Sequence, residues 1–203
     1  MRKLKTSRQP EILDAALAIA DERGLDALSM RAVAERIGVT PMALYGYFRN
    51  KDELLDGLVG RLLTELAPAE PGGSWQERLA SVAWATRRVA RQHPSVFPLL
   101  LFRASVTPDG VRVVDAIYQA LLEAGVPEAE VPRMERLVST FVLGFAVSET
   151  NGRFSSASNE SRARRGDADA PAHRRLAEHL TVDDWDAEFA ADLADLMRII
   201  RPV

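Results

Sequence analysis

The stretch 29–55, SMRAVAERIGVTPMALYGYFRNKDELL, decides how the whole chain is read. Ser29 is a strong helix N-cap, since its hydroxyl can accept a hydrogen bond from a backbone N–H left free at a helix start. MRAVAERI follows with apolar residues at helical spacing, and Gly38 ends it where a tight turn calls for positive φ. Thr40 is the next cap, with Pro41 in the first turn of a helix over PMALYGYF. Two such short helices, separated only by a glycine turn and a cap, have helix-turn-helix spacing. Ala34 is small where two helices would cross closely, Leu44 locks one onto the other, and Val33, Ile37 and Val39 fill the space between. Asn50 caps a further helix, KDELLDGLVGRLLTEL, whose first turn carries Asp52 and Glu53 where the helix dipole favours acids.

Working outward, residues 10–23 form an amphipathic helix, with Pro10 in its first turn and Gly24 as its stop. PAEPGG at 68–73 is a break. It divides the chain into a helix-turn-helix domain over 1–67 and a second helical domain over 74–203. Ser74 and Glu77 form a capping-box pattern for a helix ending at His93-Pro94. A short apolar helix over 95–103 follows, then one from Pro108 closed by Gly125, then a long one over 128–152. Residues 153–170 are polar and read as a mobile loop, and 171–180 as a short helix. Asp183 or Asp184 starts the last helix. Nothing alternates with strand period, so the fold class is all-α.

The 203 residues contain no cysteine, which excludes disulfides, thiol nucleophiles and cysteine metal sites. The formal net charge is −3, yet residues 1–50 hold eight basic and six acidic residues. Arg2, Lys3, Lys5 and Arg8 make the first ten residues wholly basic. A basic head on an acidic body suits one end facing a polyanion, although four charges alone also suit a solvated tail. The longest apolar runs, such as 97–102, are far shorter than a bilayer span. The N-terminus lacks the apolar run of a signal peptide, so the cytoplasm is the expected compartment and no membrane partner is expected.

The quoted stretch closely resembles the DNA-binding domain of the tetracycline-repressor (TetR) family of bacterial regulators. The resemblance extends over about residues 9–60. It implies a three-helix DNA-binding head, a body that binds a small effector, a homodimer, and release from a palindromic operator when the effector arrives. It implies double-stranded DNA as partner and no cofactor. The third helix would enter the major groove. By resemblance, Thr40 and Tyr45 hydrogen-bond phosphates, while Pro41, Met42 and Ala43 give apolar contacts, for instance to thymine methyls. The resemblance also implies a phosphate contact for Lys51 and a base-edge contact for Arg31. Tyr47, on the same helix, is a further expected DNA contact. The alternatives are a half-buried aromatic for Tyr45, a solvated cation for Arg31 and a packing role for Tyr47. Gly46 departs from the bulky aromatic frequent in the family.

In the body, aromatics at helical spacing either fill a core or line a cavity. Trp84, Arg88, Phe97, Phe102, Tyr118, Met134, Val138 and Phe141 are the expected lining of an effector pocket. Glu149 either accepts a hydrogen bond from an effector or is a helix-end carboxylate near water. The helix over 128–152 is apolar on more than one face, which calls for burial on both sides. With the last helix (Trp185, Phe189, Leu193, Leu196, Ile200) it would form a four-helix bundle about a two-fold axis. The remaining classes are a DNA-binding protein governed by a protein partner, and a helical enzyme. The enzyme class lacks a nucleophile elbow, a phosphate-binding loop and metal spacing. His173 and His179 are six apart, off one helical face, and His93 precedes a proline.

Overall fold

The computed structural model describes residues 8–66, 72–103, 107–153, 155, 157–158, 160–161, 171–179, 182 and 184–200. The basic residues Arg2, Lys3 and Lys5, Asp183, and most of the expected loop over 153–170 lie outside them. Ten α-helices occur among the described residues, and no strand. They are α1 (Gln9–Arg23), α2 (Met30–Arg36), α3 (Pro41–Tyr45), α4 (Lys51–Leu66), α5 (Trp75–Gln92), α6 (Leu99–Phe102), α7 (Pro108–Glu123), α8 (Val131–Thr150), α9 (Pro171–Leu176) and α10 (Trp185–Ile200). The chain is all-α, as its periodicity requires.

The caps largely behave as their chemistry dictates. Ser29 Oγ accepts from Ala32 N at 3.1 Å, and Asn50 Oδ1 from Glu53 N at 2.9 Å. Ser74 and Glu77 form the reciprocal capping box at the start of α5. Thr40 is the exception: it stands at the N-cap of α3 in extended backbone, but its side chain makes no capping bond. The helix it precedes ends at Tyr45, three residues short of the expected Phe48, in a turn where Tyr47 N and Phe48 N both donate to Leu44 O. The long helix expected over 128–152 begins as a 3₁₀ turn, Glu128–Glu130. Pro132 lacks an N–H and belongs in a first turn, so α8 proper starts at Val131.

α1 to α4 form the head. Ile12, Ala16, Leu17, Ile19 and Ala20 of α1 meet Val33 and Ala34 of α2, Leu44 of α3, and Leu54 and Leu58 of α4 in one core. Gly57 permits this approach, since a Cβ there would lie 2.7 Å from Leu13 Cδ2 and 3.0 Å from Phe48 Cε1. α5, α7 and α8 pack on one another as the body, and α10 closes one side with Phe189, Leu193, Leu196 and Ile200.

α4 serves both parts. Its first turns pack in the head, while Val59, Leu63 and Leu66 face the body. Polar contacts reinforce the junction. His93 Nδ1 lies 2.7 Å from Asp21 and Arg103 holds Asp52 and Asp56 at 2.7 Å each, while Arg61 of α4 ties to Asp14 of α1 at 2.9 Å within the head. The break at 68–73 therefore follows a helix that belongs mechanically to head and body alike.

Candidate DNA-binding face and ligand cavity

The turn between α2 and α3 is set by Gly38. Its φ is +69°, in the left-handed region that a side chain resists. Gly38 N donates to Glu35 O and Val39 N to Ala34 O, so the last carbonyls of α2 are satisfied as the chain reverses. Leu44 is 1% exposed and anchors α3 from beneath. This leaves the opposite side of α3 to solvent. Met42 is 77% exposed, and Thr40, Pro41, Ala43 and Tyr45 are also exposed. An apolar Met42 so open has no structural use in the isolated chain. Tyr47 is half-buried and packs against the core.

Arg31 is exposed on α2, with no ion pair among the described residues. Lys51 is exposed at the start of α4, and its Nζ donates to Leu25 O at 3.3 Å. Arg49, absent from the expected set, stands next to that start with a side chain 86% exposed. Its backbone N–H and, at 3.3 Å, its Nε both donate to Glu53, which keeps that carboxyl below its usual pKa. Arg36, by contrast, is consumed by a two-bond pair with Glu22. Arg31, Tyr45, Lys51 and Arg49 thus offer donors around the exposed apolar end of α3, as a phosphate-flanked groove contact requires.

In the body a cavity of about 260 Å³ lies among α4, α5, α6, α7 and α8. Of the eight residues expected to line a pocket, Val138 borders it. The structure places the other seven elsewhere. Phe97 and Met134 are buried core, Tyr118 and Phe141 are half-buried against that core, and Phe102 is 81% exposed. Arg88 is exposed and donates to Gln92 and to Glu65 O. Trp84 lies edge-on to Phe189 at 4.9 Å, on the side of α5 facing α10. The physical reason is volume. Large rings fill the space they face, and the cavity survives where short side chains meet: Val59, Val82, Ala83, Gly110, Val113 and Val114.

Glu149 neither faces this cavity nor stands in water. Its carboxylate takes two hydrogen bonds from Arg87, both 2.8 Å, and one from Arg91 at 2.8 Å. Burial pushes the Glu149 carboxyl up, but these bonds and the charges behind them outweigh it and hold the pKa below the usual value. Arg87 is 1% exposed and lies against the rings of Trp84, Phe145 and Phe189, with Asp186 of α10 at 2.9 Å. Arg87 is not among the residues expected to be functional. The signal was present, since 79, 83, 87 and 90 share one helical face, the buried one.

The two apolar helices are also resolved. Val131, Met134, Val138, Val142 and Phe145 of α8 face the chain's own core, while Leu137, 41% exposed, and Gly144 lie off that stripe. Of the α10 residues expected in the four-helix bundle, Phe189, Leu193, Leu196 and Ile200 are buried within the chain and Trp185 is half-buried. The apolar residues that α10 leaves outside are Ala187, Ala190, Ala191, Ala194 and Ile199, the last 64% exposed, with the charged Asp186, Glu188, Asp195 and Arg198 exposed beside them. No described helix is long and apolar enough to cross a membrane.

Comparison with known proteins agrees with this architecture. Residues 12–58 match the family model described as bacterial regulatory proteins, tetR family, and residues 67–198 match the tetracyclin repressor-like C-terminal domain. An HTH-type transcriptional regulator of Saccharopolyspora erythraea is 31% identical over 191 residues, covering 89% of this chain and 79% of that protein. The HTH-type transcriptional repressor Rv1353c of Mycobacterium tuberculosis is 30% identical over 154 residues, 72% of this chain and 59% of the repressor's length. Among solved structures, ActR of Streptomyces coelicolor in complex with actinorhodin superposes with a TM-score of 0.80 at 27% identity, covering 95% of this chain and 94% of that one.

Proposed function

The chain belongs to the TetR family of bacterial transcriptional regulators, and from that premise we propose that it binds a palindromic operator as a homodimer and leaves it when a small molecule enters the body cavity. Relatives named as transcriptional repressors, and a neighbour solved with actinorhodin bound, support a ligand-responsive repressor rather than an enzyme.

One observation carries this reading. α4 begins at the DNA-facing surface with Lys51 and ends as a wall of the cavity with Val59, Leu63 and Leu66. A helix is stiff along its axis, so a displacement at one end is felt at the other. Arg103 adds a second link: it borders the cavity and grips Asp52 and Asp56 in the first half of α4. Those two carboxylates hold its guanidinium still more firmly protonated. A ligand that moves these walls changes how far apart two heads sit. Half-sites recur about every 34–36 Å along the duplex, so a changed separation weakens binding.

The dimer is read on the outward sides of α8 and α10, where Leu137, Gly144, the four alanines and Ile199 allow close helix approach. Arg31 reads a base edge, Thr40, Tyr45 and Lys51 hold phosphates, and Pro41, Met42 and Ala43 make the apolar contacts. Tyr47, half-buried, supports α3 from behind.

The test is selection of binding sites from random duplexes with the full chain. The expected result is an inverted repeat bound by two subunits, whose affinity falls when an effector saturates the body. Linkage then requires saturating operator to weaken that effector by the same factor. An effector indifferent to operator overturns the coupling, and a monomer on a single half-site overturns the dimer.

A further inference from the structure

The chemical class of the cavity's ligand follows from which polar groups around it are already committed. Most of the wall is aliphatic, and its polar side chains are Thr86, Arg103, Glu135 and Ser139. The Thr86 hydroxyl donates to Val82 O in its own helix at 2.8 Å. Arg103 is spent on two carboxylates, with bonds to Asp52 Oδ1 and Asp56 Oδ1 of 2.7 Å each and a third to Asp52 O at 3.2 Å. The Ser139 hydroxyl donates to Glu135 Oε1 at 2.6 Å.

Glu135 is left in a different condition. It is half-buried on α8, borders the cavity, and receives that one bond from a neutral hydroxyl. Among the described residues it forms no ion pair. A carboxylate has room for about four hydrogen bonds. The aliphatic wall offers it no further partner, so its remaining lone pairs are open to whatever occupies the cavity. An anion entering the cavity would meet Glu135 unshielded and an arginine already neutralised by two aspartates. A cation would find its partner.

We propose that the cavity takes an apolar molecule carrying one protonated amine, with the ammonium held by Glu135 and the hydrocarbon among the Val, Leu and Ala side chains. The proposal rests on the reading of this cavity as an effector site and adds the ligand's class. An alcohol of the same shape would donate one hydrogen bond without neutralising the charge, and a carboxylate would be repelled.

The experiment is calorimetric titration of the full chain at pH 7 with decylamine, 1-decanol and decanoate, the two ionic ligands below their micelle concentrations and 1-decanol below its solubility limit. Decylamine is expected to bind at least tenfold more tightly than 1-decanol, and decanoate more weakly than either. Glu135→Gln keeps the shape and removes the charge, and it should bring decylamine to the level of 1-decanol. Val114→Trp fills the cavity and should abolish binding of all three; Val138→Phe is the milder filling if the tryptophan variant does not fold. Decylamine binding that survives filling belongs to the acidic surface and overturns the proposal. So does decanoate binding as tightly as decylamine, or an amine preference unchanged in Glu135→Gln. If 1-decanol binds without any amine preference, the ligand class falls and the effector cavity stands. If none of the three binds, both fall.

Discussion

Replacing Glu149 by glutamine should destabilise this protein more than any other single charge neutralisation in the body. The variant keeps the shape of the side chain. Arg87 presents a fork, Nε to one carboxylate oxygen and Nη2 to the other, both at 2.8 Å. A glutamine offers one oxygen and one NH₂, so one arm of the fork would meet a donor instead of an acceptor. Arg87 is 1% exposed and cannot turn to water. Its remaining ion partner, Asp186, has a side chain 63% exposed, and pairs with exposed groups contribute about 0–1 kcal/mol. Removing one member of a buried pair costs about 3–5 kcal/mol. The rings of Trp84, Phe145 and Phe189 around the guanidinium recover part of this, which places the loss near 3 kcal/mol. For a chain of this size that is a fall in Tm of about 6–12 °C.

Urea and thermal unfolding followed by circular dichroism measure it. The pH dependence carries a sign. The folded pKa of Glu149 is depressed, so its contribution is fully present above the unfolded pKa of about 4.3 and is lost as pH falls through the folded value. The gap between wild type and Glu149→Gln should therefore be full at neutral pH and close in acid. A double-mutant cycle completes the test. Arg87→Met with Glu149→Met should recover most of the loss, because a buried pair replaced by apolar groups is often neutral. A Glu149→Gln cost below about 0.5 kcal/mol, or strict additivity in the cycle, would refute the reasoning.

Other consequences are simpler to state. Gly38→Ala meets no neighbour but must hold φ at +69°, so it should cost about 1–2 kcal/mol in urea unfolding and weaken operator binding by disturbing α3. Gly57→Ala would drive a Cβ to 2.7 Å from Leu13 Cδ2, an overpacking of the head expected to cost about 1–3 kcal/mol, read as a lower Tm. Lys51→Ala should weaken operator and random duplex alike and flatten the salt dependence by about one unit per subunit. Arg31→Ala should cost about 1–3 kcal/mol per half-site on operator, far less on random DNA, and relax one base pair's preference. Equal weakening on both duplexes would make Arg31 a phosphate contact. Salt titrations of binding separate the two.

The head was legible in the linear chain because its determinants are local. Ser29, Gly38, Asn50 and the spacing of Val33, Ala34 and Leu44 specify caps, a turn and a helix face within a few residues of one another. The start of α4 at Lys51 and its end at Leu66 follow from the same kind of signal. Thr40 shows the limit even there: a residue type suited to capping stands at the cap, yet its hydroxyl makes no bond to the helix.

The body was legible as helices but not as surfaces. The sequence marks α8 and α10 as apolar, yet which of their faces turns inward depends on where α5 and α7 lie. Phe189, Leu193, Leu196 and Ile200 proved to be the chain's own core. Aromatics at helical spacing do not mark the pocket, because a cavity is a shortfall of volume summed over five helices, which no local pattern records. Arg87 and Glu149 are 62 residues apart. Helical period alone places Arg87 on a buried face, but only packing brings the carboxylate that makes that burial tolerable. Arg103 likewise reaches Asp52 and Asp56 across the junction of head and body. Short-range hydrogen bonding and helical period wrote the elements into the sequence. The cavity, the Glu135 carboxylate on its wall and the reach of α4 from head to body were decided by tertiary structure, because each is a relation between side chains that the chain brings together only on folding.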